Sequence, residues 1–475
     1  MTKHLSCLPP LLAALALAGC VNLAPGYQRP VAPVAASFPD TAALGTSAGV
    51  PAGVAGASTT AAAAIAWPQY FADARLRQLI ALALENNRDL RVAILNIEQA
   101  RAQYQIRRAD QLPSVSLGIQ GSRTPGANDS ITSAYSAGLA VSAFELDLFS
   151  RVRNLGATAQ AQYLATEEAR KATHISLVAS VANAYLAVLA DDELLALTQQ
   201  TLDTRGESLK LTQLKFDNGV VSKLDLQQAL SLVDSARVTL AQQQRQRAQD
   251  INLLVLLVGG PLPDTLAAPA TLAATELAEL PAGLPSDLLA VRPDIRAAEQ
   301  TLMGANANIG AARANFFPRI TLTGSAGSAS SQLSGLFKGG SFGWTFAPQL
   351  LLPLFDYGRN EATLGSAKAG RDIAVAQYEK AIQSAFREVA DALAGQATFG
   401  EQLRAQRAVA AAETERFKLS DLRYRSGAAS YLDLLDAQRS LFAAQQAAIQ
   451  ANLQRLQNQV TLYRVLGGGW TEAAR

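Results

Sequence analysis

Cysteine is nearly absent from this chain: 475 residues contain two, Cys7 and Cys20. Both stand in an N-terminal segment that reads as a targeting signal. Lys3 and His4 form a short polar start, Leu5 to Ala18 is apolar, and the run ends in Leu17-Ala18-Gly19-Cys20. Small residues directly before a cysteine after an apolar run form a bacterial lipobox, where the signal peptide (1–19) is removed and Cys20 receives a covalent lipid. The apolar run is shorter than the ~20 residues that a spanning helix needs. Val21 follows, where an Asp would favour inner-membrane retention, so sorting to the outer membrane is expected. Cleavage leaves Cys20 as the one cysteine, already acylated, which excludes disulfides and cysteine-ligated metals.

Histidine is as scarce. Losing His4 leaves His174 without a second imidazole for a metal site or a proton relay, so a plain helix residue is the reading there. No glycine-rich phosphate loop and no Gly-x-Ser-x-Gly elbow occurs. No enzymatic activity, metal or cofactor beyond the lipid is expected. Charge of one sign is also lacking: 41 basic residues oppose 39 acidic ones, with no basic block, so nucleic acid is not an expected partner. Beyond the signal peptide no uninterrupted apolar run approaches ~18 residues, so no spanning helix is expected. Aromatics make up 6%, which suits long, thinly packed helices.

What is abundant is repetition. The segment Lys210 to Leu226, which contains Asn218-Gly219, returns 208 positions later as Lys418 to Leu434, which contains Ser426-Gly427. Asp89-Leu90-Arg91 with Pro113 returns as Asp294-Ile295-Arg296 with Pro318, and Leu148-Phe149 with Arg153-Asn154 returns as Leu354-Phe355 with Arg359-Asn360. Solenoid repeats are ~20–50 residues long. This much longer unit implies an internal duplication of a subdomain.

Each half runs helix, two strands, long helical hairpin. After an extended N-terminal segment (20–72), whose residues 41–66 are Ala/Ser/Thr/Gly-rich, the first repeat spans 73–258. It holds a helix to about Gln111, strands near 113–122 and 134–147, and a hairpin with its tip at 219–222. Tyr135, Ala137, Leu139, Val141 and Ala143 form one apolar strand face; Ser114, Ser116, Gln120, Ser136 and Ser142 form polar ones. From Arg151 to Asn218 no proline interrupts, which gives a helix of roughly 100 Å. A connector (259–290) leads to the second repeat (291–466), with strands near 318–327 and 342–352 and a tip at 427–430; residues 467–475 form a tail. Leu226, Val233, Leu240, Arg247, Leu254 and Leu434, Leu441, Ala448, Arg455, Leu462 recur every seven residues, as in left-handed coiled coils. The two arginines read as snorkelling or paired with a carboxylate between helices.

Four amphipathic strands cannot close a barrel alone, since small barrels take about eight or more. Open edges are not tolerated in lipid. A barrel shared by three chains solves both problems; a sheet packed on a soluble coiled coil is the alternative.

At this point the sequence resembles a known family. Arg292-Pro293-Asp294-Ile295-Arg296-Ala297-Ala298-Glu299 with Ala305 to Pro318 looks like the signature of outer membrane factor lipoproteins, the TolC/OprM-type channels of tripartite efflux systems, NodT branch. Trp67 with Phe71 and Asp73, the stretch Ala83 to Leu90, and Leu354 to Arg359 also match. The resemblance implies a homotrimer with a mixed fold: a 12-stranded membrane β-barrel continued by a 12-helix, coiled-coil periplasmic tunnel. It implies outer-membrane localisation, a periplasmic adaptor (membrane fusion protein) and an inner-membrane transporter, commonly of the resistance-nodulation-division class. The expected function is a passive exit duct for drugs or other small toxic compounds. A protein-secretion duct or a structural coiled-coil lipoprotein are the alternatives.

Matched turn to turn, the resemblance puts Asp433 and Asp436 at an acidic periplasmic constriction, Tyr424 at the gate and Asp225 at its acceptor. Ala429 stands where the family often has a locking arginine. The tips Gly219-Val220-Val221-Ser222 and Gly427-Ala428-Ala429-Ser430 would dock the adaptor. Ser222-x-x-Asp225 and Ser430-x-x-Asp433 read equally as capping boxes. Asp436 shares a helix face with Asp433 at i, i+3 and has no capping role.

Overall fold

The structure, a computed structural model, describes residues 21–35, 37–38, 65–126, 131–277, 280 and 291–470. The lipobox with Cys20, and residues 41–64 of the small-residue stretch, lie outside them. The elements in chain order are α1 (Trp67–Tyr70), α2 (Ala74–Asn86), α3 (Arg88–Ala109), β1 (Val115–Pro125), β2 (Ile131–Leu146), α4 (Arg151–Asp217) and α5 (Lys223–Val258). After a connector come α6 (Pro293–Ala314), β3 (Arg319–Ser330), β4 (Phe342–Leu351), α7 (Arg359–Arg425) and α8 (Tyr431–Val465). α4 and α7 are 67 residues each, about 100 Å at the rise of an α-helix. The chain divides into two compact units.

One unit comprises the described residues of Met1–Ala32, Leu95–Glu168 and Ala297–Ala381. Its sheet is antiparallel in the order β1-β2-β3-β4. Strand pleating sends alternate residues to opposite faces, and the register sorts them cleanly. Leu117, Leu139, Ala326 and Trp344 align across the strands, as do Ile119, Ala137, Ser328 and Phe342. On this face Ile119 is 78% exposed and Trp344 73%. The other face aligns Ser116, Ala140, Ser325 and Thr345, and pairs Gln120 with Ser136. Between these two rows Gly118, Gly138, Gly327 and Gly343 stand in one line across all four strands.

The apolar alternation of β2 does not continue to Ala143, as the sequence suggested. A bulge lies between Val141 and Phe144, and Ala143 has φ 51°. The bulge shifts the pairing by a residue, so residues beyond it change face. β3 also continues through Gly324–Ser330, beyond the expected end near 327.

The N-terminal segment straps this unit. Val21 N–H donates to the Leu148 carbonyl at 3.1 Å. The Leu23 carbonyl accepts from Arg313 at 2.9 Å, and the Pro25 carbonyl from Asn306 at 2.7 Å. Arg29 grips Glu299 through two bonds of 2.7 and 2.9 Å, and the Tyr27 hydroxyl donates to the same carboxylate. Gly310 is required here, because a Cβ would lie 2.7 Å from Ala24 N. Much of the 305–318 signature thus serves to seat this strap.

The other unit comprises the described residues of Pro33–Ile94, Ala169–Arg296 and Ile382–Arg475, and is helical. The helix expected from Asp73 to Gln111 is broken at Asn87, which caps α3 through Leu90 N–H and donates to the Leu257 carbonyl. Asp73 caps α2 and accepts from Tyr185 at 2.8 Å. Tyr70 stacks on Tyr463 at 4.1 Å. α4 contains a stretch long and apolar enough to cross a bilayer, but 61% of it is buried, as in a core helix. Of the two striped arginines, Arg247 pairs with Asp192 at 2.5 Å. Arg455 keeps an enclosed Nε without a partner among the described residues. His174 packs edge-on against Trp470 at 5.0 Å.

Candidate functional site at the hairpin tips

The two tips, both in the helical unit, are built alike. α4 ends as Gly219 adopts φ 72°, and Val220 N–H reaches back to the Lys215 carbonyl at 2.8 Å. α7 ends as Gly427 adopts φ 76°, and Ala428 N–H reaches the Arg423 carbonyl at 2.8 Å. This closure needs a left-handed residue, which glycine supplies without strain. Ser222 and Ser430 then start the next helices with reciprocal capping boxes. Asp225 N–H donates to Ser222 Oγ at 3.2 Å, and Ser222 N–H to Asp225 Oδ2 at 3.0 Å. At the other tip the matching bonds between Asp433 and Ser430 are 3.3 and 3.2 Å. Each cap contributes about 1 kcal/mol. Gly219, Val220, Gly427 and Ala428 are exposed, whereas Val221 and Ala429 are half-buried.

Behind the tips a small apolar cluster joins the two hairpins: Ala229, Leu232, Tyr424, Tyr431, Leu434 and Leu435. Tyr424 is 5% exposed, its ring tilts against Tyr431 at 5.5 Å, and Lys215 Nζ lies 3.9 Å over its face. Its hydroxyl has no hydrogen-bond partner among the described residues, so within one chain it is not bonded to Asp225. Burial, foremost, raises the pKa of the neighbouring Tyr431 phenol. Asp436 is held by Arg416 of α7, a salt bridge made across the hairpin.

The four expected gate residues therefore occupy one end of the helical unit. Asp225 and Asp433 are caps, Tyr424 is core with a free hydroxyl, and Asp436 is ion-paired. Arg416, Lys215 and Tyr431 belong to the same region and escaped the sequence reading. The antiparallel hairpin brings Arg416 to Asp436, and counting residues back from the turn would have suggested the pairing.

A four-stranded sheet with one apolar and one small, polar face, together with paired 67-residue helices, defines a channel of the TolC-like outer membrane class. The chain belongs to the outer membrane efflux protein family, whose model matches residues 79–260 and 284–468. It is 50% identical over 479 residues to the probable efflux pump outer membrane protein TtgC of Pseudomonas putida, covering 99% of this chain and 97% of that one. It is 45% identical over 473 residues to the outer membrane protein OprJ of Pseudomonas aeruginosa, covering 97% and 95%. The open-state MtrE outer membrane channel of Neisseria gonorrhoeae superposes with a TM-score of 0.85 at 40% identity, covering 94% and 98%. The protein is an outer membrane component of an efflux pump.

Proposed function

We propose that three copies of this chain form a passive exit conduit for small apolar toxicants, of the antibiotic and toluene kind named for its relatives. The observation that carries this reading is the sheet. β1 and β4 each have one unpaired edge among the described residues, and along the rows from Ser116 to Gln120 the faces are sorted into an apolar one and an uncharged polar one. Lipid outside and water inside require that sorting. The conduit is opened by a periplasmic adaptor that docks on Gly219–Ser222 and Gly427–Ser430, and is powered by an inner-membrane transporter, of the resistance-nodulation-division class. Cys20 carries the lipid anchor; a mature N-terminus whose mass shows an unmodified Cys20 would contradict that.

At the periplasmic end, Asp433 and Asp436 from three chains form an acidic ring, with Tyr424 and Asp225 holding neighbouring hairpins together. Because Asp433 is also a cap, its removal confounds helix stability with charge. Asp436→Asn removes charge without touching a cap, and Ser430→Ala removes the cap without removing charge. In planar bilayers Asp436→Asn should lower cation selectivity and weaken block by multivalent cations, while Ser430→Ala should leave both unchanged. If Asp436→Asn conducts with wild-type selectivity and block, the ring reading fails. Charged, bulky replacements of Val221 and Ala429 should abolish efflux in cells while the assembly persists in the outer membrane; undiminished resistance would refute docking there.

A further inference from the structure

Arg205 of α4 is 5% exposed, and a guanidinium keeps its charge at any pH a protein survives. Among the described residues it forms no ion pair. Its Nη1 donates to the Leu232 carbonyl at 3.2 Å, and its enclosed Nε has no partner. Burial, and then the neighbouring guanidinium of Arg439, pull its pKa down. The Phe442 ring, 5.2 Å from Cζ, offers a cation–π contact, which is weaker than a counter-ion. Buried charges in proteins are paired. This one has a like charge beside it and no carboxylate.

A cavity of about 110 Å³ opens next to it, between α4 and α8. Gln438 of α8 also lines it, is 7% exposed, and has an Oε1 without a partner among the described residues. That oxygen is enclosed and does not reach the space, so what the amide can offer an occupant is its N–H donors. Thr201 and Thr204 on the same wall already donate to the Leu197 and Gln200 carbonyls at 2.8 and 2.9 Å. Phe417 and Phe442 make much of the remainder apolar. The remaining polar lining, Gln200 and Gln445, is neutral, so the wall carries one positive charge and suits a monovalent anion.

We propose that this cavity is a halide site, filled by chloride in ordinary salt. The Arg205 guanidinium and the Gln438 amide N–H hold the ion, which staples the first hairpin to α8. The site does not depend on the channel reading above.

The full-length protein in detergent provides the test. At constant ionic strength, replacing gluconate by chloride should raise the apparent Tm to a plateau, and bromide-soaked crystals should show an anomalous peak in the cavity. Arg205→Met should abolish both effects, and Gln438→Leu should weaken the chloride dependence several-fold. The site is refuted by an empty cavity in the bromide map, by chloride dependence that survives in Arg205→Met, or by a carboxylate of a neighbouring chain found in the cavity. Should Arg205→Met fail to fold, Gln438→Leu and the wild-type bromide map decide. A preparation that conducts in bilayers yet shows no bromide refutes the site and leaves the channel reading intact.

Discussion

Asp191 on α4 is 5% exposed and its Oδ2 has no hydrogen-bond partner among the described residues. Burial, then Asp250 and Asp192, push its carboxyl up to about 7, with Arg247 opposing. Arg247 is committed to Asp192, and Asp250 is itself a carboxylate, so neither neutralises the charge. A raised acid favours the fold when protonated. Its contribution is complete below the ordinary carboxyl range near pH 4 and is lost as pH rises through about 7. His174 acts in the opposite direction: burial foremost holds its imidazole down at about 4, so lowering the pH below about 6.5 costs stability. Comparing Asp191→Asn with wild type cancels the histidine. The variant should be more stable at pH 8 by roughly 1–3 kcal/mol, the scale of an unsatisfied buried polar group, and nearly unchanged at pH 4. Thermal unfolding at both pH values checks this; an equal shift at the two would show that Asp191 does not titrate between them. None of this was legible in the sequence, where Asp191 is one acid among 39. Its burial comes from the packing of α5 against α4.

The line of four glycines separates two demands that composition alone blurs. A Cβ on Gly138 would lie 2.5 Å from the Ala326 carbonyl oxygen and 2.6 Å from Gly327 Cα, and one on Gly327 would lie 2.5 Å from Gly138 Cα. β2 and β3 approach so closely that only glycine fits. Gly118 and Gly343, in the same line, have nothing within 4 Å. Gly138→Ala and Gly327→Ala should therefore impair folding of the sheet, visible as lost heat-modifiable mobility on gels. Gly118→Ala and Gly343→Ala should fold normally, while tryptophan at either site should fill the polar face and lower single-channel conductance. Wild-type conductance in both tryptophan variants would mean that this face does not line the conduit. The strands themselves were legible from their alternation, because Leu117, Ile119, Leu139 and Trp344 are spaced by the pleat. The bulge was not, since an alanine at positive φ leaves no mark in sequence. The far end of β3 was also hidden, because Gly-Ser-Ala-Gly-Ser-Ala-Ser has the composition of a loop and becomes strand by pairing on both sides. The capping boxes at Ser222 and Ser430 were legible in full, being contacts between residues three apart.

The proposed trimer rests on the edges. β4 contains no charged residue between Phe342 and Leu351, and β1 has only Arg123. Sheets that must stay apart protect such edges with lysine, proline or a covering loop, yet here Pro348 alone interrupts β4, and it pairs with Leu322. Edges of this kind are built to pair. The order β1-β2-β3-β4 allows β4 of one chain to continue antiparallel onto β1 of the next, a head-to-tail contact that must close into a ring. Two chains would give eight strands, a size whose interior side chains fill or nearly fill. The rows on the polar face from Ser116 to Gln120 are glycine, serine, alanine and threonine apart from Gln120, too small to fill an interior. Three chains give twelve strands, together with six of the 67-residue helices and the six that return from them. Native mass spectrometry of the detergent-solubilised protein should therefore find three chains per particle, and bilayers should show channels from that same fraction. A particle of one or two chains with an intact far-UV signal would overturn closure by three, because the edges of β1 and β4 would then be satisfied in some other way.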